Sequence, residues 1–247
     1  MRGFGRLLLM NLKLYVREPI ATFFTLAFPP LLVVLFGAMY GNEPTPMFGG
    51  YGSMDISMPA YTALILGTVG FLSVPITISG YRETGVLRRF QATPMRPWTY
   101  ILADIVANLV MTLLGMIGLV FVGWLLYRVQ FEGQVVAVIV AVVFSGLAMF
   151  SIGYVIASLA PAARTAQVIG MVIFYPMMFL SGASMPLEIM PESIQRISNF
   201  LPLTYVVNLL RGLWFGDAWR DHLLGTGVLA GVLVVCTALA AWLFRWE

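Results

Sequence analysis

The chain has 247 residues, of which 60% are apolar and only 10% charged, with 14 basic against 11 acidic side chains. A chain of this composition cannot hide its apolar surface from water by folding on itself, which excludes an ordinary soluble domain and leaves no room for a separate catalytic one. One cysteine and one histidine exclude an internal disulfide and leave no ligand set for a metal site or bound cofactor.

Six stretches without a formal charge divide the chain, at 19–42, 56–81, 105–127, 133–163, 165–187 and 223–244. Each is at least about 20 residues long, enough at about 1.5 Å per residue to cross a hydrocarbon core of about 30 Å. They predict an all-α membrane protein with six transmembrane helices, at 20–40, 58–80, 99–126, 134–160, 164–183 and 223–244, in one transmembrane domain covering 1–247.

Before the first span, residues 2–17 predict an amphipathic helix. At helical spacing Arg2, Arg6, Lys13 and Arg17 fall within about 60° of one another, with Leu8, Leu12 and Tyr15 on the opposite side. Such a helix suits the membrane interface, with its cations near anionic head groups. It equally suits a plain anchor or a contact with a partner protein. Pro19 ends it and opens the next helix. The 41–57 loop is rich in Gly, Pro and Met and has no basic residue, as an outside loop should be. In the second span Pro75 predicts a kink.

Residues 81–97 read YRETGVLRRFQATPMRP and can make two helical turns, taken as a helix over 83–92. Val86, Leu87 and Phe90 share one face, with Arg82, Arg88 and Arg89 away from it, and Thr93-Pro94 stops the helix. Glu83 has no basic partner four residues on, so it favours its own helix N-terminus or pairs with a cation elsewhere. Spans three and four form a hairpin around 128–132, span four ends at Ala160-Pro161, and span five runs through Phe174-Tyr175-Pro176. Residues 181–222 are punctuated by Pro186, Pro191 and Pro202. Their uncharged run 197–210 is too short to span but can dip in and return, predicting a re-entrant outer hairpin over 186–215. Gly227 and Gly231 make a GxxxG in span six, a weak close-packing signal. No internal repeat is evident.

The cations set the orientation. Ten of the 14 (Arg2, Arg6, Lys13, Arg17, Arg82, Arg88, Arg89, Arg96, Arg164 and Arg245) fall on one side, and Arg128, Arg196, Arg211 and Arg220 on the other with seven acids. The positive-inside bias puts both termini in the cytoplasm of a multi-pass protein of the cell membrane. The basic balance reflects this asymmetry and not a nucleic-acid surface. No cleavable signal peptide is expected, since 7–12 is too short an apolar run and Lys13 and Arg17 follow it.

Intramembrane acids are almost missing, Asp104 being the main one, which disfavours a transporter coupled to protons or sodium. No nucleophile and base are paired for proteolysis, and no GxxxxGK[ST] loop is present to bind ATP. The spans offer a channel only scattered Ser, Thr, Asn108 and Gln167. The simplest fit is a greasy pathway for an amphiphilic or lipid-like molecule, worked from the cytoplasmic side.

Three features, in this order and spacing, resemble the membrane permeases of type-2 ABC exporters. They are the amphipathic helix before span one, the sequence ETGVLRRFQATP at 83–94, similar to the family's E-x-G-x-L-x-R-x-x-x-T-P cytoplasmic loop, and FLSG at 179–182 followed by Pro186, Pro191 and LPLTY at 201–205. The resemblance implies a transport subunit that is not itself an enzyme. It would work in the lipid bilayer with a second permease, identical or homologous, and with two copies of an ATP-binding cassette ATPase that hold ATP and Mg. It makes 83–92 a coupling helix seated in the ATPase, through Glu83, Gly85, Leu87, Arg88, Arg89, Phe90, Thr93 and Pro94, with Arg6, Lys13 and Arg17 on the interfacial helix. It makes Phe174, Tyr175, Phe179, Leu201, Pro202, Tyr205 and Arg211 candidates for an outer gate or pathway, although the aromatics suit core or lipid packing as well, and Arg211 an exposed loop. The cargo would be drug-like, as in multidrug resistance, or lipid-like. A polysaccharide or lipid-linked glycan is the alternative within the family. A secondary transporter or channel without an ATPase, and a membrane scaffold, are the alternatives outside it.

Overall fold

The computed structural model describes residues 2–86 and 97–243, and all regular structure among them is helical. Six helices are long and apolar enough to cross a membrane: Phe23–Tyr40, Ser53–Glu83, Thr99–Tyr127, Val135–Leu159, Ala163–Leu180 and Trp219–Leu243, here spans 1 to 6. Within hydrocarbon a helix satisfies every backbone N–H and C=O from its own chain, so long apolar runs take this form. The protein is an all-helical, multi-pass membrane protein. Ahead of span 1 lies the N-terminal helix Arg2–Arg17.

Span 2 is the core. Over its most apolar 18 residues 78% are buried, against at most 50% for any other span. Its half toward the N-terminal face packs on spans 4 and 5, and its other half on span 3 and on the helix Pro202–Trp214. Span 6 lies at the periphery against span 4, with Leu224, Val234 and Trp242 exposed where lipid would cover them. Pro202–Trp214, at 13 residues too short to cross a bilayer, buries Leu203, Val206, Leu210 and Trp214 among spans 2, 4 and 6.

Proline shapes spans 1 and 2 in the same way. A π-turn at Phe23–Ala27 precedes Pro29, and another at Val69–Ser73 precedes Pro75. A proline has no N–H for the carbonyl four residues back and its ring pushes that carbonyl aside, so the turn widens. The disturbance expected at Pro75 takes this form. The carbonyls displaced in this way face glycines on neighbouring spans, Thr25 facing Gly115, Gly70 facing Gly153 and Phe71 facing Gly170. Only a residue without Cβ admits so close a backbone approach. By contrast Gly227 and Gly231, the GxxxG of span 6, meet no neighbour among the described residues.

Span 2 begins at Ser53, so Asp55 lies in a helical first turn and is 2% exposed instead of sitting in an open loop. Its burial is made tolerable by donors. Asn42 Nδ2 donates to Oδ1 at 3.1 Å, the Gln130 backbone N–H to Oδ1 at 2.8 Å, and the Gly52 N–H to Oδ2 at 2.9 Å. The Trp214 indole donates to the Gln130 carbonyl at 3.0 Å. One carboxylate thereby ties the links between spans 1 and 2 and between spans 3 and 4 to the helix Pro202–Trp214. Asp55→Ala removes the acceptor of the Gly52 and Gln130 N–H groups and one of the two acceptors of Asn42 Nδ2, which keeps the Tyr127 carbonyl at 3.1 Å, and is expected to cost about 2 kcal/mol, read as a lowered Tm in detergent. Asn42→Ala added to it should cost less than in the wild type, because the two share one network.

Candidate functional site

Of the segment singled out after span 2, residues 83–86 are described, while Leu87, Arg88, Arg89, Phe90, Thr93 and Pro94 lie outside the described residues. Span 2 ends at Glu83, and Gly85 follows with φ +69. This left-handed conformation turns the chain out of the helix and favours glycine. The Gly85 N–H donates to the Arg82 carbonyl at 3.0 Å and the Thr84 hydroxyl to the Gly80 carbonyl at 2.8 Å, closing the last turn.

The two side chains just before that turn reach across to the link between spans 4 and 5. Arg82 Nη1 donates to the carbonyls of Ala157 at 2.9 Å and Ala160 at 3.1 Å. The natural helical partner of the Ala157 carbonyl would be the N–H of residue 161, which is a proline and has none. Arg82 supplies the missing donor. Glu83 Oε2 accepts from the backbone N–H of Ala163, the first residue of span 5, at 3.0 Å. A cation thus sits on a helix C-terminus and an anion on a helix N-terminus, the arrangement that the helix dipoles favour. The sequence offered Glu83 its own helix N-terminus or a cation. The structure gives it the N-terminus of another helix, because the turn at 160–162 brings an unpaired backbone donor beside it.

Adjacent to this clasp, the N-terminal helix lies along span 3. Arg6, Lys13 and Arg17 are exposed, while Leu7, Asn11 and Tyr15 are buried. The buried stripe runs through positions 7, 11 and 15, so it includes Asn11 and leaves Leu8 and Leu12 half-buried at its edge. The Tyr15 hydroxyl is 2.7 Å from Thr25 Oγ1. Burial raises the Tyr15 phenol above its ordinary pKa, with the Thr25 hydrogen bond opposing. Deeper, Tyr154 of span 4 donates its hydroxyl to Asp104 Oδ2 of span 3 at 2.7 Å, and Asn108 Nδ2 reaches the same oxygen at 3.2 Å. The sequence marked Asp104 but not Tyr154, since nothing local links residues 50 apart.

On the opposite face the candidate residues separate. Phe174 is buried, its ring 6.0 Å from that of Phe71 and packed on Gly67. Tyr175 and Phe179 are exposed on the outward side of span 5. Leu201 and Pro202 are half-buried at the start of Pro202–Trp214, and the Tyr205 hydroxyl donates to the Asn199 carbonyl at 2.6 Å. Arg211 lines a cavity with Ser57, Tyr61, Ser184 and Asn208, between the start of span 2, the 182–187 turn and Pro202–Trp214. No group of three or more metal-ligating side chains occurs among the described residues.

A protein-family model described as ABC-2 type transporter matches residues 2–215. Among curated proteins, the chain is 34% identical to "Nodulation protein J" of Rhizobium leguminosarum bv. viciae over 104 residues, 42% of this chain and 40% of that one. It is 24% identical to "Probable multidrug ABC transporter permease YbhR" of Escherichia coli (strain K12) over 165 residues, 66% of this chain and 45% of that one. It is 27% identical to "Inner membrane transport permease YhhJ" of the same strain over 168 residues, 64% of this chain and 45% of that one. The chain thus spans less than half the length of these relatives.

Proposed function

The chain belongs to the ABC-2 type transporter family, and on that premise we propose that it is the permease subunit of an ATP-driven exporter for a hydrophobic or amphiphilic small molecule. The chain carries no nucleotide site of its own in its sequence, so ATP and Mg belong to a cytoplasmic ATPase, two copies of which serve two permeases. The cation-rich N-terminal face is the cytoplasmic one by the positive-inside bias, which places both termini inside. The segment 83–92 is the coupling helix, and the N-terminal helix lies in the membrane interface with Arg6, Lys13 and Arg17 toward head groups or the ATPase. Residues 186–215 form the outer hairpin and gate, with Tyr205 and Arg211 at its base and Tyr175 and Phe179 toward the second permease. A relative described as a multidrug permease supports a drug-like cargo.

The observation that carries this reading is the clasp made by Arg82 and Glu83. The segment 83–92 that would meet the ATPase begins within the clasp, at Glu83, which with Arg82 before it holds the adjoining ends of spans 4 and 5. A push on that segment therefore moves spans 2, 4 and 5 as one body, which is how a permease with no engine of its own opens. The test is reconstitution of the chain in liposomes with and without its cytoplasmic ATPase, following a fluorescent amphiphile. Export is expected only with the ATPase and ATP together. Gradient-driven flux through the chain alone would replace this reading with a secondary transporter or channel.

A further inference from the structure

A small cavity opens beneath the N-terminal helix, where that helix meets spans 2 and 3. Its polar lining among the described residues comes from Asn11, Tyr15, Glu18, Thr77, Tyr81, Asp104 and Asn108, and it has room for about one water-sized occupant. Two of these side chains are carboxylates, and none of the lining side chains among the described residues is basic. Arg17, the nearest cation in sequence, lines a separate cavity on the other side of Glu18.

Asn11 points to an occupant independently of the acids. It is only 7% exposed, and neither its Nδ2 nor its Oδ1 has a hydrogen-bond partner among the described residues. Asn108, 4% exposed, likewise leaves Oδ1 without a partner after its Nδ2 is used on Asp104. Buried amide atoms are rarely left in this state, because the hydration lost on burial is returned by nothing else. Asp104 is held in place by Tyr154 and Asn108, both on Oδ2. Glu18 is exposed as a whole residue, and partial burial of its carboxyl raises it above the ordinary carboxylate range.

We infer that this cavity is a binding site for a single monovalent cation, of the size of sodium or potassium, held between the N-terminal helix and span 3. The lining offers hard oxygen atoms from two carboxylates, two amides and three hydroxyls, the donor set for such ions. A water would satisfy the amides but bring no positive charge to the carboxylates of Glu18 and Asp104. A magnesium ion keeps several of its waters and needs more room. The cation ties Asn11 and Glu18 to Asp104 and Asn108, and fixes the N-terminal helix beside Tyr81, one residue from the Arg82 end of the clasp. This site is additional to the transport reading and does not depend on it.

The experiment uses the full chain purified in detergent, without any ATPase, so that its failure and the failure of the transport reading are separate. Thermal unfolding is recorded in sodium chloride, potassium chloride, magnesium chloride and choline chloride at equal ionic strength and fixed pH. Tm is expected to rise by about 3 °C in one or both alkali salts over choline. Asn11→Ala and Asp104→Asn are each expected to abolish that difference, and Glu18→Gln stands in if Asp104→Asn does not fold. Equal Tm in all four salts means the cavity holds only water and overturns the inference. So does a rise confined to magnesium, or an alkali-salt rise that persists in the variants.

Discussion

Arg82→Ala, in the permease assembled with the ATPase proposed for it, is expected to lower export about tenfold or more while ATP hydrolysis continues. Arg82 gives charge-assisted hydrogen bonds to two carbonyls at the end of span 4, one of which has no backbone alternative because Pro161 follows. Bonds of this kind contribute about 1.5–3 kcal/mol, and about 1.4 kcal/mol is already a factor of ten if the bond is needed in the moving state. Glu83→Ala removes the other half of the clasp and is expected to act in the same direction with a smaller effect, since its contact with Ala163 is exposed to solvent. Arg88→Ala, in the segment proposed to couple to the ATPase, tests the other end of the same linkage. The measurements are substrate export and ATP turnover on the same proteoliposomes. If Arg82 and Glu83 act as one device, the double variant loses less than the product of the single losses. Arg82→Lys keeps the charge and a donor nitrogen on a shorter, non-planar head and should recover part of the export, which a role in folding alone would not require. Normal export by both single variants would remove the clasp from the mechanism.

Gly153→Val and Gly170→Val are each expected to destabilise the protein by about 3 kcal/mol, the upper part of the range for overpacking. A Cβ at either position runs into a backbone carbonyl of span 2, that of Gly70 or Phe71, and not into a side chain that could swing away. The widened turn before Pro75 has already fixed those carbonyls, so the collision has no local outlet. Span 2 is the most buried span, and its contacts with spans 4 and 5 would separate together. The check is thermal unfolding in detergent and the yield of folded protein. Gly227→Val is the control. Gly227 lies in span 6 with no neighbour within reach among the described residues, and its substitution is expected to leave Tm unchanged.

The contrast between these glycines shows where sequence reading stopped. The only glycine spacing that stood out was the GxxxG of Gly227 and Gly231, and those two meet nothing in the described chain. Gly115, Gly153 and Gly170 belong to no motif. They matter because prolines on other spans displace carbonyls toward them, a relation between residues with no fixed separation along the chain. Asp55 shows the same limit from the polar side. Its charge reads as a loop residue, and its burial depends on donors from Asn42 and Gln130 that no local pattern announces. The family-like segment ETGVLRRFQATP was legible, but the partners of its first residues were not.

The sequence by itself determined that this chain crosses a membrane six times, that its cations gather on one face, and that prolines would disturb spans 1 and 2. These follow from quantities local to each stretch: apolar length, charge and the missing N–H of proline. Only the tertiary structure decided that span 2 is the core and span 6 the rim, because every span is apolar all round and lipid-facing and protein-facing sides look alike in composition. It alone decided what Arg82 and Glu83 hold, since a helix end takes whichever donor or acceptor the packing delivers, here from 75 and 80 residues away.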